Sequence, residues 1–559
     1  MQFLAAPFDP EARRGQMFPT LTPEQLARVM HFGKEQTFES GQVLFERGDR
    51  DYPFFIILAG EVEIVHPRCG NEEVITVHRT RGFAGELTML TGRPTLVRAR
   101  ARGRVKVLRI ELSRFKALLQ TDSELSELVM RAFILRRVGL FSGMVTDVVV
   151  VGSRHSAATL RVQEFLVRNG HPFRYVDVEA DADVEHFLGH ACVRCAEIPV
   201  LIGVDGRVLR NPSNAAIADW LRLNPMLDPG VVHDVVVCGA GPGGLAAAVY
   251  AASEGLDVLV LDSVAPGGQA ASSSKIENYL GFPTGVSGQA LAGRAVTQAE
   301  KFGAAIAVAT PAVKLRSDGG LVAVDLARGE SVTARAVVLA TGVEYRKLDV
   351  PNIARFENVG IYYAATFMEA QRCSSDEVIV VGGGNSAGQA ATFLAQTSKH
   401  VHVLVRGPDL AATMSRYLVR RIEETPNITL RRRTRIVAVD GGDWLERVTW
   451  RDDATGEETS HDIRHVFAMT GANPNTDWLR DSIALDDKGF VRTDAELTEQ
   501  ILHEREWPLA RPPYLFETSR PRVFAVGDVR ANSVKRVASA VGEGSVCIQL
   551  VHRALTASS

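Results

Sequence analysis

The stretch Val235–Val236–Val237–Cys238–Gly239–Ala240–Gly241–Pro242–Gly243–Gly244 constrains this chain most: an apolar run ends in G-x-G-x-x-G and continues into Leu245–Ala246–Ala247–Ala248–Val249. A β-branched run, a glycine turn and a good helix former, in that order, make a strand–turn–helix unit, the context in which this spacing binds a dinucleotide. Gly239 permits the tight turn, Gly241 lets backbone approach a pyrophosphate, and Gly244 lets the helix pack on the strand. The phosphates then rest at the positive end of that helix. About eighteen residues further on, Val258–Leu259–Val260–Leu261 ends in Asp262, an acid placed to bind ribose hydroxyls.

A second fingerprint lies downstream. Val378–Ile379–Val380–Val381 runs into Gly382–Gly383–Gly384–Asn385–Ser386–Ala387 and then a helical stretch, 390–394. Its second strand, 401–405, ends in Arg406 rather than in an acid. A basic residue there suits a 2′-phosphate, so NADPH is expected over NADH, with Arg416 and Arg420 as helpers.

The 559 residues suggest three to five domains, and 46% hydrophobic with 23% charged residues marks a globular chain. A net charge of −3 gives no push towards nucleic acid or a membrane surface. No stretch approaches the ~18 apolar residues of a membrane span, and residues 1–16 lack the pattern of a secretory signal. The six cysteines (Cys69, Cys192, Cys195, Cys238, Cys373 and Cys547) are sparse, which fits a reducing cytoplasm. No metal site is expected.

Residues 1–140 read as a small β-barrel or jelly roll, with a helix starting at Thr22–Pro23 and a helical pattern from about Ser113 to Arg137. Gly41-x-x-Leu44-x-x-x-Gly48–Asp49, Phe55-x-x-Leu58-x-Gly60-x-Val62 and Gly85–Glu86–Leu87 resemble the cyclic-nucleotide-binding domain family. That resemblance implies a phosphate cassette in which Glu86 binds a ribose and a later arginine binds the cyclic phosphate. Here Thr95 stands near the place of that arginine, with Arg93 or Arg98 as substitutes. Arg98, Arg100, Arg102 and Arg104 alternate as one solvated strand face.

Residues 143–225 contain a buried strand at Asp147–Val148–Val149–Val150–Val151, a helix from Ala157 to Val167, a second strand at 173–178, and a hairpin turning at Asp205–Gly206. This order resembles the thioredoxin/glutaredoxin fold, with Ile198–Pro199 where that family carries a cis-proline. The family's redox pair is replaced by Ser153–Arg154–His155–Ser156. Cys192–Val193–Arg194–Cys195 lies just before Ile198–Pro199, and Arg194 favours a thiolate, so the pair reads as a displaced redox site. The alternatives are two incidental loop thiols, or half of a zinc site completed by His186 and His190.

Ala265–Pro266–Gly267–Gly268–Gln269, Ile276–Glu277–Asn278–Tyr279, Val526–Gly527–Asp528 and 536–544 join the first fingerprint in resembling the thioredoxin reductase family of two-dinucleotide flavoproteins. The resemblance implies FAD held by Gly239, Gly241, Gly244, Asp262, Gly268, Gln269, Asn278 and Asp528. Val537–Ala538 would lie at a helix start facing the flavin. Thr341–Gly342 and 471–476 are the implied crossings between the two domains, and Gly382, Gly384, Asn385 and Arg406 the implied NADPH contacts. Where the family has Cys-Ala-Thr-Cys, this chain has Ala364–Ala365–Thr366–Phe367. That cuts the usual route to a disulfide.

The expected architecture is therefore multidomain α/β, two Rossmann-like domains preceded by a jelly roll and a thioredoxin-like domain. The expected boundaries are 1–140, 143–225, 230–345 and 465–559 for FAD, and 346–464 for NAD(P)H. The expected function is an NAD(P)H-dependent FAD oxidoreductase whose electrons reach a disulfide, Cys192/Cys195 or a partner's. Two alternatives stand beside it: reduction of a separate carrier such as ferredoxin, and a regulatory flavoprotein responding to a cyclic nucleotide. A homodimer is implied by resemblance.

Overall fold

The structure, a computed structural model, describes residues 13–68, 71–141, 148–154, 156–179, 197–203, 206–411, 413–442 and 444–556. By compactness the chain divides into two units, residues 1–153 with 170–226, and residues 154–169 with 227–559. Cys192 and Cys195 lie outside the described residues.

The first unit opens on a six-stranded antiparallel sheet ordered Lys34–Phe38, Arg98–Ile110, Phe54–Arg68 and Asn71–His78, with Val43–Phe45 and Phe83–Ala84 attached. Long alternating strands bury one face. That face closes on Phe54, Phe55, Phe83, Phe115 and Phe133, with the Phe54 and Phe115 rings stacked 4.4 Å apart. Thr22 and Gln25 form a capping box on the helix Pro23–Val29, as Thr-Pro at a helix start predicts. The helical pattern expected from Ser113 to Arg137 is two helices, Leu112–Thr121 and Ser123–Phe141. Asp122 divides them in an extended conformation, and its carboxylate accepts from Leu125 N. Arg98 and Arg100 reach Glu46, Glu63 and Glu72, and Arg102 reaches Glu61, so the solvated arginine face is an ion-paired one.

A four-stranded sheet completes this unit in the order Val208–Arg210, Val200–Gly203, Val148–Gly152, Phe173–Asp177. The last two strands are parallel and the others antiparallel. The Ile198–Pro199 bond is cis.

The second unit is built on two sheets with parallel cores, the first extended by the antiparallel strands Leu321–Leu326 and Ala312–Asp318. In the first, Val232–Cys238 lies between Val258–Leu261 and Ser331–Leu339, with Ala305–Ala307 and Val523–Ala525 beyond them. Val235, Val236 and Val237 are wholly buried, as a central parallel strand covered on both faces requires. In the second sheet Glu377–Val381 lies between His400–Leu404 and His465–Ala468. The paired strands Val343–Tyr345 and Ala472–Pro474 carry the chain out to this sheet and back. Thr341 Oγ1 donates to Asn475 O (3.0 Å) and Asn475 Nδ2 to Thr341 O (2.9 Å), which ties the two crossings together.

Candidate functional site

The two fingerprints share one cleft of about 1120 Å³. At the first, Gly239 adopts φ +107°, and a Cβ there would lie 2.3 Å from Ala340 O. A Cβ on Gly244 would lie 1.9 Å from Gly239 O, so only glycine lets the helix Pro242–Ser253 sit this close to its strand. Gly241, the N-cap of that helix, has open space beside it except for Gly268, 4.0 Å away. Exposed backbone at the positive end of a twelve-residue helix is a cradle for a pyrophosphate.

Asp262 is buried beside this turn. Its carboxylate accepts from Ala240 N (2.8 Å) and Val264 N (2.9 Å), holding the two turns that face the cleft. Burial raises its pKa against the pull of those hydrogen bonds. Each carboxylate oxygen keeps a further lone pair for a hydroxyl. Gly268, Gln269 and Asn278 line the same wall, and Gln269 Nε2 donates to Val343 O at 2.6 Å.

Val526–Gly527–Asp528 and the start of the helix Val537–Thr556 also line the cleft, with Val537 and Ala538 among the lining residues. Glu543 fixes this part of the lining by accepting from Gly527 N (2.6 Å) and pairing with Arg530 (2.8 Å). Burial raises the pKa of the Asp528 carboxyl and lowers that of Lys535, whose ammonium donates to Asp528 O at 2.9 Å. Glycine turn, ribose acid and helix start fit an extended FAD. They would hold it by backbone N–H groups and carboxylates.

In the second domain, Gly382 takes φ +145°, and a Cβ there would be 2.4 Å from Met469 O. Gly384 caps the helix Asn385–Leu394 beside open space, and Asn385 Oδ1 accepts from Ser415 N at 2.7 Å. Asn385, Ser386 and Gln389 line the cleft that Gly241 and Asp528 also line. Gly244, Gly382, Gly384 and Arg406 are not in its lining. Arg406 is exposed, just past the strand His400–Leu404, while Arg420 is paired with Glu424. Ala364 lines the cleft, and Glu369 takes up Thr366 N (2.8 Å) and Thr366 Oγ1. Cys373 is a packed thiol bonded to Glu369 O and Ala370 O, its pKa pushed up to about 11 by burial.

Sequence reading missed Tyr345, Lys535 and three residues from a distant helix, Leu160, Glu164 and Arg168, all of which line the cleft. Lys535 stands next to the 536–544 motif; the helix residues carry no local signal.

In the N-terminal barrel Glu86 is buried, and its Oε1 accepts from Thr95 Oγ1 (2.6 Å), Thr88 Oγ1 (3.0 Å) and Leu96 N (3.2 Å). Arg98 is taken up by Glu46 and Glu72 rather than by the cassette. Arg136 is buried and donates to Met17 O, Gly85 O and Phe83 O, which holds the helix Ser123–Phe141 to the cassette strand.

Residues 233–544 match the family model described as pyridine nucleotide-disulphide oxidoreductase, and residues 35–122 match the cyclic nucleotide-binding domain. A thioredoxin reductase of Mycolicibacterium smegmatis is 32% identical over 314 residues, 56% of this chain and 93% of that protein. The solved thioredoxin reductase of T. acidophilum is 28% identical with a TM-score of 0.52, covering 58% of this chain and 99% of the other. That of Lactococcus lactis, in its FR conformation, is 25% identical with the same TM-score of 0.52 and the same coverage, 58% and 99%.

Proposed function

The chain belongs to the pyridine nucleotide-disulphide oxidoreductase family, whose thioredoxin reductase branch uses FAD and NADPH, and from that premise we propose that it is an NADPH-dependent disulfide reductase without a dithiol in its nicotinamide domain. The observation that carries this reading is the single cleft lined by both Gly241 and Asn385, each at the N-terminus of a fingerprint helix. FAD, when bound, would supply the hydride and electron-pair chemistry between NADPH and a disulfide.

The chain's own residues do the positioning. Gly241 opens the phosphate cradle, which Gly239 and Gly244 shape by letting the helix close on its strand, Asp262 takes the ribose, and Gly268, Gln269, Asn278, Thr341, Gly342 and Asp528 line the FAD. The N–H groups of Val537 and Ala538, at the helix start, would favour negative charge on a bound flavin ring. Gly382, Gly384, Asn385 and Arg406 hold NADPH. With Ala364 and Phe367 at the family's cysteine positions, the electrons leave for a disulfide elsewhere, Cys192/Cys195 or that of a partner protein. The acting form is a homodimer in a reducing cytoplasm. Sparse cysteines support the compartment, and likeness to thioredoxin reductases supports the dimer.

Anaerobic stopped-flow reduction by NADPH tests this, counting electrons taken up per flavin. Four electrons, falling to two in Cys192→Ser/Cys195→Ser, mark an internal dithiol as acceptor. Two in both, with turnover on an added protein disulfide, mark an external one. Turnover on ferredoxin alone, or no flavin reduction, overturns the proposal.

A further inference from the structure

The helix Ala157–Arg168 lies outside the stretch 233–544 that carries the reductase likeness, yet it packs with the dinucleotide-binding unit. Leu160, Glu164 and Arg168, four residues apart on one face, line the cleft. Arg168 Nη2 donates to Ala265 O (3.0 Å) and Gly268 O (3.3 Å), and Gln289 Nε2 donates to Val167 O (3.2 Å), so the helix end is held from two sides.

These contacts put a cation where an anion is expected. Gly268 abuts Gly241, since a Cβ on it would lie 3.0 Å from Gly241 Cα, and Gly241 is the backbone left open for the pyrophosphate. Asp262, on the ribose side, feels the Arg168 charge. The guanidinium has five N–H donors. Both carbonyls are on Nη2, and Nη1 has only a Glu164 oxygen at 3.8 Å, beyond hydrogen-bond distance. A phosphoryl oxygen is the acceptor that best matches the remaining N–H groups of a guanidinium.

We infer that Arg168 binds the diphosphate of FAD, so that a helix from outside the reductase core supplies part of the cofactor site. The inference rests on the FAD reading above. The competing role is a clip that only holds the 265–268 turn.

The test uses the full chain, stripped of flavin and titrated calorimetrically with FAD, ADP and adenosine. Wild-type protein that does not bind FAD sinks the functional reading, not this one. Given that binding, Arg168→Met weakens FAD and ADP roughly 10- to 100-fold and leaves adenosine unchanged, with Arg168→Lys between. Unaltered ADP binding, or equal loss of ADP and adenosine, overturns the inference. Should the variants fail to fold, phenylglyoxal labelling of Arg168 in wild-type apoprotein, read by mass spectrometry, decides instead. Protection by ADP but not adenosine supports the contact, and equal labelling under both refutes it.

Discussion

Gly544 sits directly on Gly243: a Cβ on Gly544 would lie 2.2 Å from the Gly243 carbonyl oxygen. The helix Val537–Thr556 therefore lies against the helix Pro242–Ser253 at backbone distance, and one contact sets both the pyrophosphate end and the flavin end of the site. Gly544→Ala gains about 1 kcal/mol of helix propensity but meets backbone that cannot give way. The expected outcome is a net loss of roughly 1–3 kcal/mol and reduced FAD content, read by thermal unfolding and by flavin absorbance of the purified protein.

Arg406 is an exposed cation just past the strand His400–Leu404. Arg406→Ala is expected to lower kcat/KM for NADPH about tenfold while leaving NADH within twofold, because only NADPH carries the 2′-phosphate. Steady-state kinetics with both nucleotides check it, and an equal loss on both would assign Arg406 a structural role.

His171 is buried, and its pKa is lowered to about 3, first by burial and then by the charges of Arg137, Arg93 and Arg47. The unfolded chain binds this proton near pH 6.5, so between about 6.5 and 3 the unfolded state holds more protons and stability falls as pH falls. His78, likewise buried with its pKa lowered, acts in the same direction. Thermal unfolding scanned from pH 7.5 to 4 should show the first unit losing stability below about pH 6.5, and His171→Phe should flatten the slope.

Glu86 already receives the hydrogen bonds of Thr95, Thr88 and Leu96 N that a ribose would have to displace. Millimolar cyclic AMP or cyclic GMP is therefore expected to leave the melting temperature of the protein unchanged, since a ligand raises it only by binding the native state. Glu86→Ala should cost about 1–3 kcal/mol, because it orphans the buried Leu96 N–H and leaves Thr95 Oγ1 only its longer bond to Val97 O. A rise of several degrees with either nucleotide in the wild-type protein would contradict this account.

What the sequence by itself determined is local. Both fingerprints, their strands and helices, and the acid or base after each second strand are set by glycine spacing and by runs of β-branched residues, which act over a few residues. The same holds for the capped helix at Thr22 and for the absence of cysteine at 364–367. Tertiary structure alone decided what meets across long stretches of chain. Asp122 divides the helical pattern from about Ser113 to Arg137, because its carboxylate caps the second helix and pairs with Arg28. Glu86 takes up the hydroxyl of Thr95, the residue near the place of the expected arginine, a pairing made as the chain folds back between the strands Phe83–Ala84 and Arg98–Ile110. Arg168 meets the carbonyl of Gly268 a hundred residues on, at the foot of a cleft whose other walls come from 241, 385 and 528. Periodicity says which face of a helix is buried but not against what, and the second answer comes only from the packing of the whole chain.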